Sequence, residues 1–336
     1  MGIRVLKAGM LTTVQDLGRN GYQSQGFSVA GVMDVRSFKI ANLLLDNPEN
    51  EAVLEFTLIG PTLQFTSATI IAITGGDFTP TLNGEPVPMY EAIYVNRGDI
   101  LKFGSARTGS RGYIAFSSYL DIPVVMGSRC TNLKSQIGGF KGRKLRDEDY
   151  IGFRMKRRYL PYFLSRKLKP DDFSKEQETL RVVLGPQDEL FSKQGIDTFL
   201  SEEYTVTSDF DRMGCRLEGA FIARKDEKDM ISDGIAYGSV QVPSHGKPII
   251  LLSDRQTTGG YPKIATVASV DIPKLVQRKT DHKIKFEAIS VQEAQKLYRE
   301  EEKAYEKMRN SIHVPCKEVL DCRLVAKRVS KLFIES

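Results

Sequence analysis

Short runs of apolar and β-branched residues, bounded by Gly, Pro, Asn and Asp, recur along the whole chain. Alternation of apolar and polar positions within such runs is typical of β-strands that bury one face. Few helical stretches separate the runs, which argues against repeated strand-helix-strand units and favours barrels or sandwiches. We therefore predict a mainly β protein. The predicted strands are Val53–Phe56, Thr62–Phe65, Thr69–Ile73, Ala92–Val95, Ile100–Phe103, Tyr113–Phe116, Val182–Leu184, Tyr204–Val206, Ser239–Val242, Ile249–Leu252, Ile264–Val267 and Lys283–Phe286.

Two stretches follow helical spacing instead. The first runs over 34–45, with an Asp suited to the N-cap at its start and Asp-Asn-Pro directly after it. The second begins at Ser290, which forms an S-x-x-E capping box with Glu293, and it carries one apolar stripe to about Asn310. The tail over 317–333 has a third, weaker helical pattern, whose apolar residues fit either core packing or a partner surface.

The chain has 336 residues, enough for two ordinary domains that each bury a core. Between Arg154 and Thr179 it becomes charged and Pro-punctuated with little periodicity, which is typical of a domain boundary. The predicted organisation is an N-terminal β-barrel domain over 1–165, a linker over 166–179, a second β-barrel domain with a terminal helix over 180–311, and a tail over 312–336.

Charge and residue usage exclude several classes of function. Lys and Arg total 48 against 42 Asp and Glu, and the basic residues are spread along the chain, so no nucleic-acid partner is predicted. The four cysteines form no C-x-x-C pair and the three histidines lie far apart, so we predict no metal site. No apolar run approaches the ~20 residues of a membrane span. We expect a cytoplasmic protein with reduced thiols and no membrane attachment.

The segment over 251–262 is the strongest candidate for a functional site. An apolar strand runs directly into Asp254, Gln256 and the sequence Thr-Thr-Gly-Gly-Tyr. Hydroxyls and glycines in this arrangement suit a backbone nest that receives an oxyanion. Simple loops use the same residue types, so an ordinary loop is the alternative.

A second candidate is the sequence Ser-Asp-Phe-Asp-Arg-Met-Gly-Cys-Arg over 208–216. Here Arg212 and Arg216 stand beside two carboxylates, a composition suited to gripping a carboxylate or phosphate through guanidinium groups. An ion-pair network of purely structural use is the alternative. Gln241 follows just before a turn that holds His245, which we interpret as a solvated turn residue.

A third candidate lies near the N-terminus, where Gln15, Asp16 and Arg19 occupy a strand that passes into a Gly-punctuated loop. Flexible backbone of this kind lets several side chains converge on a ligand. The alternative is an ordinary turn in which Arg19 pairs with Asp16. The sequence has no phosphate-binding loop, no dinucleotide-binding glycine motif and no nucleophile elbow of the hydrolases.

Six linked motifs, in order from about Thr12 to Ala294, resemble one known family. They are Thr-Thr-Val-Gln-Asp-Leu-Gly-Arg at 12–19 with Gly-Val-Met-Asp at 31–34, Gly-Ser-Arg at 127–129, Gly-Gly-Phe-x-Gly-Arg at 138–143, Leu-Gly-Pro-Gln-Asp at 184–188, Asp-Arg-Met-Gly-x-Arg-Leu-x-Gly at 211–219 and Asp-x-Gln-Thr-Thr-Gly-Gly-Tyr-Pro at 254–262. Together they resemble the biotin-dependent carboxyltransferase family, formerly called allophanate hydrolase subunit 2, which holds the C component of bacterial 5-oxoprolinase and the Kip-inhibitor antagonist.

The resemblance implies two cyclophilin-like β-barrel domains with a few peripheral helices. It also implies a subunit that is not active alone. In an ATP-dependent 5-oxoprolinase the chain would act with a smaller, B-like carboxyltransferase protein and an A-like lactam-utilisation protein to open 5-oxo-L-proline to L-glutamate. ATP is implied by the family only. The chain departs from the family pattern at 117–121 and at Cys130, which bears on the substrate more than on the fold.

Two alternatives to the 5-oxoprolinase hypothesis stay open. One is a carboxyltransferase subunit for urea or a related amide; since the chain lacks an Ala-Met-Lys-Met biotin acceptor, carboxybiotin would arrive on another chain. The other is a regulatory protein that binds a kinase inhibitor. For catalysis, we predict two anion clamps, Arg212 and Arg216, with Asp254 and Gln256 beside them. The predicted substrate-binding residues are Gln15, Asp16, Arg19, Gln241, Thr257, Thr258, Gly259, Gly260 and Tyr261.

Overall fold

The computed structural model describes residues 1–226 and 230–315, together with positions 326 and 330. Over these residues the chain is mainly β, as predicted, with 20 strands and four α-helices. The weak helical pattern over 317–333 lies outside the described residues, apart from those two positions. The strands are β1 (Gly2–Lys7), β2 (Leu11–Gln15), β3 (Val53–Thr57), β4 (Thr62–Phe65), β5 (Thr69–Asp77), β6 (Thr81–Leu82), β7 (Glu85–Pro86), β8 (Ala92–Val95), β9 (Ile100–Lys102), β10 (Thr108–Phe116), β11 (Tyr150–Gly152), β12 (Gln177–Leu184), β13 (Tyr204–Phe210), β14 (Gly214–Glu218), β15 (Asp233–Gly234), β16 (Ser239–Gln241), β17 (Ile249–Leu251), β18 (Thr258–Gly259), β19 (Lys263–Val267) and β20 (Lys283–Ala288). The helices are α1 (Val35–Leu44), α2 (Lys193–Ser201), α3 (Ile272–Val276) and α4 (Val291–Ile312).

Strands β1 to β11 make up the N-terminal half of the fold, arranged as two sheets with the orders β11-β1-β4-β9-β6-β7 and β2-β3-β10-β5-β8. The sheets share one apolar core. Because successive side chains of a strand point to opposite faces, β5 places Ile71 and Ile73 in this core and Ile70 and Ala72 in a second apolar cluster with Phe38 of α1. The central strands of this half are therefore buried on both faces.

Strands β12 to β20, apart from the separate ribbon β15-β18, make up the C-terminal half. They form a closed seven-stranded barrel in the order β12-β19-β16-β17-β14-β13-β20. The barrel closes through parallel pairing of β12 with β20, from Gln177↔Lys283 to Val182↔Ala288. Helix α2 packs on β20, where the rings of Phe199 and Phe286 stack 4.3 Å apart. Closure removes the unpaired edges that an open sheet of this length would expose.

Local sequence signals explain where the two longer helices begin. Asp34 caps α1, accepting a hydrogen bond from the Ser37 N–H at 2.9 Å. Ser290 and Glu293 form the predicted capping box of α4. Although most of α4 is exposed, Tyr305 is buried against α1, and its hydroxyl donates to the carbonyl oxygen of Lys39 at 2.9 Å. The helix thus belongs to the folded body instead of projecting from it.

Among the described residues, no helix is long and apolar enough to cross a membrane. Within the same ranges, no group of three or more His, Cys, Asp or Glu side chains is placed to hold a metal ion.

Candidate functional site

A buried polar cluster joins the two halves of the molecule; we call it the joint, and it consists of Arg212, Glu55, Asp254, Asp34 and Gln277. Arg212 lies between β13 and β14 and is 4% exposed. Its Nε and Nη2 donate to the two carboxylate oxygens of Asp254 at 3.1 and 3.0 Å. Its Nη1 donates to Glu55 of β3. One side chain of the C-terminal half is therefore held by a carboxylate from each half.

Glu55 extends the joint into the N-terminal half. Its Oε2 accepts hydrogen bonds from the Tyr113 hydroxyl at 2.9 Å and the Met33 N–H at 2.8 Å. The Tyr113 hydroxyl in turn accepts from the Asp34 N–H at 2.8 Å. Gln277, which follows α3, donates from Nε2 to the Asp34 carboxylate at 2.8 Å. Burial is tolerated because these polar groups pair with one another across the interface.

Two carboxylates share one guanidinium in the joint. Burial by itself lowers the pKa of Arg212, but attraction to Asp254 and Glu55 outweighs it and raises that pKa. Burial raises the pKa of the Asp254 carboxyl, and Arg212 offsets this only in part. Each guanidinium nitrogen of Arg212 donates to a protein oxygen. In place of the predicted anion clamp, Arg212 forms an ion-pair network, and its partners are Asp254 and Glu55 instead of the two carboxylates beside it in sequence.

A surface groove of about 530 Å³ opens beside the joint, at the ends of β13, β14, β16 and β17. It gathers four of the predicted site residues, Arg216, Gln241, Gln256 and Tyr261. Segments far apart in sequence therefore meet in one place. The remaining residues that line the groove are Ser208, Asp209, Phe210, Asp211, Met213, Gly214, Ile249 and Leu251.

Two amide side chains converge in the groove. Gln241 is 2% exposed and donates from Nε2 to the Tyr261 carbonyl oxygen at 3.2 Å. A Cβ atom built on Gly259 would stand 3.1 Å from Nε2 of Gln241 and 3.6 Å from Nε2 of Gln256. A glycine at this position therefore leaves room for the Gln241 amide, while the Gln256 amide lies at ordinary contact distance. Each amide offers a donor and an acceptor, which suits a ligand that is itself an amide.

Arg216 supplies the positive charge of the groove. Its side chain is 55% exposed, and its Nε lies 3.9 Å from the Asp209 carboxylate, whose own side chain is 75% exposed. An ion pair this long and this solvated contributes little to stability. The guanidinium is therefore open to a carboxylate ligand. Nearby, Asp211 accepts hydrogen bonds from the backbone N–H groups of Met213 and Gly214 at 2.7 and 3.1 Å, which fixes the turn between β13 and β14.

The Thr-Thr-Gly-Gly segment adopts a different conformation from the one predicted. Thr258 and Gly259 form β18, which pairs with Asp233 and Gly234 of β15 in a short antiparallel ribbon. A backbone nest alternates right- and left-handed residues, whereas neither Gly259 nor Gly260 has a positive φ. The predicted nest is therefore not formed, because a strand from elsewhere in the chain pairs with the segment. Thr257, just before the ribbon, accepts from the Ile235 N–H at 3.0 Å.

The predicted residues of the N-terminal loop lie away from the groove. Gln15, Asp16 and Arg19 are all buried. Asp16 accepts a hydrogen bond from the Ser128 hydroxyl at 2.7 Å, and Arg19 donates to the Cys130 carbonyl oxygen at 3.1 Å. These bonds hold the Gly-Ser-Arg loop against β2, so the three side chains organise the N-terminal half and do not converge on the groove.

Sequence reasoning missed Glu55 and Phe210. The signal for Glu55 was present, since an acidic residue in an apolar strand must find a partner when buried. Phe210 lines the groove and lies under the Arg111 guanidinium, whose Cζ is 4.8 Å from the ring centroid. That contact joins the two halves, so local sequence pattern gives no hint of it.

The fold and the motifs place the chain in a known class. A family model described as "Carboxyltransferase domain, subdomain A and B" matches residues 25–288, and the chain belongs to this family. It is 34% identical over 315 residues to the C component of 5-oxoprolinase from Escherichia coli (strain K12), a match that covers 93% of this chain and 99% of that protein. It is 36% identical over 300 residues to the same component from Haemophilus influenzae, covering 89% of this chain and 95% of that protein.

The fold also matches one part of a larger solved structure. The crystal structure of the K. lactis urea amidolyase superposes with a TM-score of 0.84 at 27% identity. The match covers 95% of this chain but only 20% of the urea amidolyase chain. The present chain thus corresponds to a fifth of that protein.

Proposed function

We propose that this chain is the C component of an ATP-dependent 5-oxoprolinase, which cleaves 5-oxo-L-proline to L-glutamate together with partner subunits. The observation that carries the proposal is the end-to-end similarity to the C component of the E. coli 5-oxoprolinase, which spans 93% of this chain and 99% of that protein. The urea amidolyase match, by comparison, spans a fifth of the larger chain.

The groove supports this substrate chemically. 5-Oxoproline is a small ring with one carboxylate and one lactam amide. Arg216 fits the carboxylate, and the amides of Gln241 and Gln256 fit the lactam N–H and C=O. Cleavage breaks the lactam C–N bond and adds a water oxygen to the carbonyl carbon, which leaves the carboxylate and free amine of glutamate. Among the described residues that line the groove there is no Cys, His or Lys, and we propose that a partner subunit contributes activating groups.

ATP is assigned to the assembly and not to the groove. Arg216 is the one cation among the described lining residues, and the carboxylates of Asp209 and Asp211 stand in the same groove. One guanidinium beside two carboxylates does not offset the several negative charges of a triphosphate, whereas it can pair with the single carboxylate of 5-oxoproline, so the groove does not fit ATP. The proposed partners are a smaller B-like subunit and an A-like lactam-utilisation subunit, acting in the cytoplasm.

Reconstitution tests the proposal. The chain is purified with its B-like and A-like partners, and ATP-dependent release of glutamate from 5-oxo-L-proline is measured. We expect release from the complete mixture and none when this chain is left out. Equal release with and without the chain would overturn the proposed role.

A second candidate is a carboxyltransferase subunit for urea that receives carboxybiotin from another chain. The structural match to the K. lactis urea amidolyase favours it. The same mixture, supplied with urea and a biotin carboxylase in place of 5-oxoproline and the A-like subunit, separates the two. Carboxylation of urea without glutamate release would support the second candidate over the first.

A further inference from the structure

Arg111 is a buried cation whose guanidinium takes no part in the joint. It lies in β10 of the N-terminal half and is 3% exposed. Its Nη1 donates to the Ser110 hydroxyl at 3.2 Å and to the Val276 carbonyl oxygen, while its Nε has no hydrogen-bond partner within the described part of the chain. Its backbone is held separately, since Gln277 bonds both its N–H and its C=O. The backbone of β10 at this position is therefore held by bonds that do not involve the Arg111 side chain.

The ring of Phe210 lies against this cation. The Arg111 Cζ is 4.8 Å from the ring centroid, within the range of a cation–π contact. Phe210 ends β13 and forms part of the groove lining. Arg111 of the N-terminal half thus contacts Phe210, a residue of the C-terminal half that lines the groove.

A charge at this position is costly to stability. Burial lowers the pKa of Arg111, and attraction to Glu55 offsets this only in part. An unbranched apolar side chain of similar length, such as methionine, would fill the same space without desolvating a charge, and Glu55 would keep its direct ion pair with Arg212. Positions that keep a costly group tend to serve function instead of stability.

We propose that Arg111 is a positioning residue, which holds the Phe210 wall of the groove in the geometry that binds substrate. Binding in the C-terminal half then depends on the N-terminal half. This inference rests on the groove being the 5-oxoproline site of the proposed function. Arg111 acts through Phe210 and does not touch the substrate.

Steady-state kinetics of the reconstituted assembly give the first test. We expect Arg111→Met to raise KM for 5-oxo-L-proline about fivefold, the size of one cation–π contact, with kcat within about twofold. Phe210→Leu is expected to have a similar effect. The double variant should be no worse than Phe210→Leu alone, because both changes remove the same contact. The proposal would be overturned if the rise in KM of the double variant were the product of the rises in the two single variants. An unchanged KM in Arg111→Met would overturn it as well.

Thermal unfolding distinguishes positioning from a structural role. We expect the melting temperature of Arg111→Met to be equal to or higher than that of the wild type, whereas a structural arginine would lower it. Arg107→Met is the matched control, because Arg107 precedes the same strand but its side chain is 72% exposed and forms a long ion pair with Asp77, at 3.7 Å. KM of the control should not change. If Arg111→Met fails to fold, Phe210→Leu tests the wall by itself, and the proposal then requires a raised KM in that variant.

A fluorine label makes the outcome independent of turnover. The chain has 17 phenylalanines, and all of them can be replaced with 4-fluorophenylalanine for ¹⁹F NMR. The signal that is missing from the spectrum of Phe210→Leu is then assigned to Phe210. That signal should shift or broaden in Arg111→Met and stay in place in Arg107→Met. If the wild-type assembly does not cleave 5-oxoproline, the proposed function fails, yet the ¹⁹F signal still decides whether Arg111 positions Phe210. A Phe210 signal unmoved by Arg111→Met would refute the contact.

Discussion

Arg212 and Arg216 are four positions apart and have opposite environments. Over β14 the side chains alternate, so Cys215 and Leu217 point into the barrel and Arg216 points outward. Arg212 lies in the turn before the strand, where no periodicity indicates its direction, and it is buried between two carboxylates. Residue type alone therefore predicted the same role for both arginines, whereas the fold buries Arg212 in ion pairs and leaves only Arg216 of the two exposed in the groove.

The first prediction concerns Arg216. Replacing it with Gln removes the one cation among the described residues that line the groove, so we expect KM for 5-oxo-L-proline to rise by about tenfold or more, as for loss of a charged hydrogen bond. Stability should stay within about 0.5 kcal/mol of wild type, because the side chain is exposed. The readouts are steady-state kinetics of the assembly and urea unfolding of the chain.

Arg4→Gln is a close control for this substitution. Arg4 is also 55% exposed and also lies 3.9 Å from an exposed carboxylate, that of Glu148, but it is in β1 and does not line the groove. Its loss should leave both KM and stability unchanged. If the two variants behave alike, Arg216 does not bind the substrate.

Elements with their own local signals were predictable. Helices α1 and α4 carry N-cap residues and apolar stripes within their own sequence, and both were predicted from them. Helix α3 is five residues long with a Pro in its first turn, too short for any period to appear. The β15-β18 ribbon depends on pairing between distant two-residue segments, so no local pattern could have predicted it.

The attachment of α3 to the barrel predicts a dependence of stability on pH. Asp271, just before α3, is fully buried and binds Arg181 of β12 through Nε and Nη2 at 2.7 and 2.6 Å. Burial by itself raises the pKa of Asp271, but the hydrogen bonds from Arg181 and Lys274 outweigh it and hold that pKa below its usual value. Since the folded-state pKa is depressed, the stabilisation is present above the unfolded pKa of about 3.9 and is lost as pH falls through the folded one.

We therefore expect Asp271→Asn to lower the free energy of unfolding by about 2–3 kcal/mol at pH 7. The difference in free energy of unfolding between wild type and variant should shrink as pH falls from about 5 to about 2, because the wild-type carboxylate becomes protonated. Urea unfolding at several pH values measures both quantities. A difference that is constant over this range would show that the charge of Asp271 contributes nothing.

At the scale of the whole molecule, the joint predicts that the two halves unfold together. Arg212→Met leaves Glu55 and Asp254 buried without their counter-charge, which costs about 3–5 kcal/mol for a buried ion pair broken on one side. Scanning calorimetry should show one transition for the wild type and a lower, split transition for the variant. Adding Glu55→Gln and Asp254→Asn to Arg212→Met should recover part of the loss, since the two carboxylates that lost their counter-charge are then neutral amides. A single unchanged transition in Arg212→Met would contradict the importance of the joint.

The sequence by itself determined the mainly β class, the two longer helices and the family. Strand alternation, helix caps and linked motifs are local patterns, so they can be recognised without knowing which distant residues are in contact. It also named four residues of the groove, Arg216, Gln241, Gln256 and Tyr261. Only the tertiary structure decided which of the named residues meet, because a barrel brings together side chains that are tens of residues apart. The fold also buries Arg212, which the sequence had suggested as a ligand-binding group. A buried charge must be paired, so Arg212 binds the carboxylates of Asp254 and Glu55 and forms part of the joint.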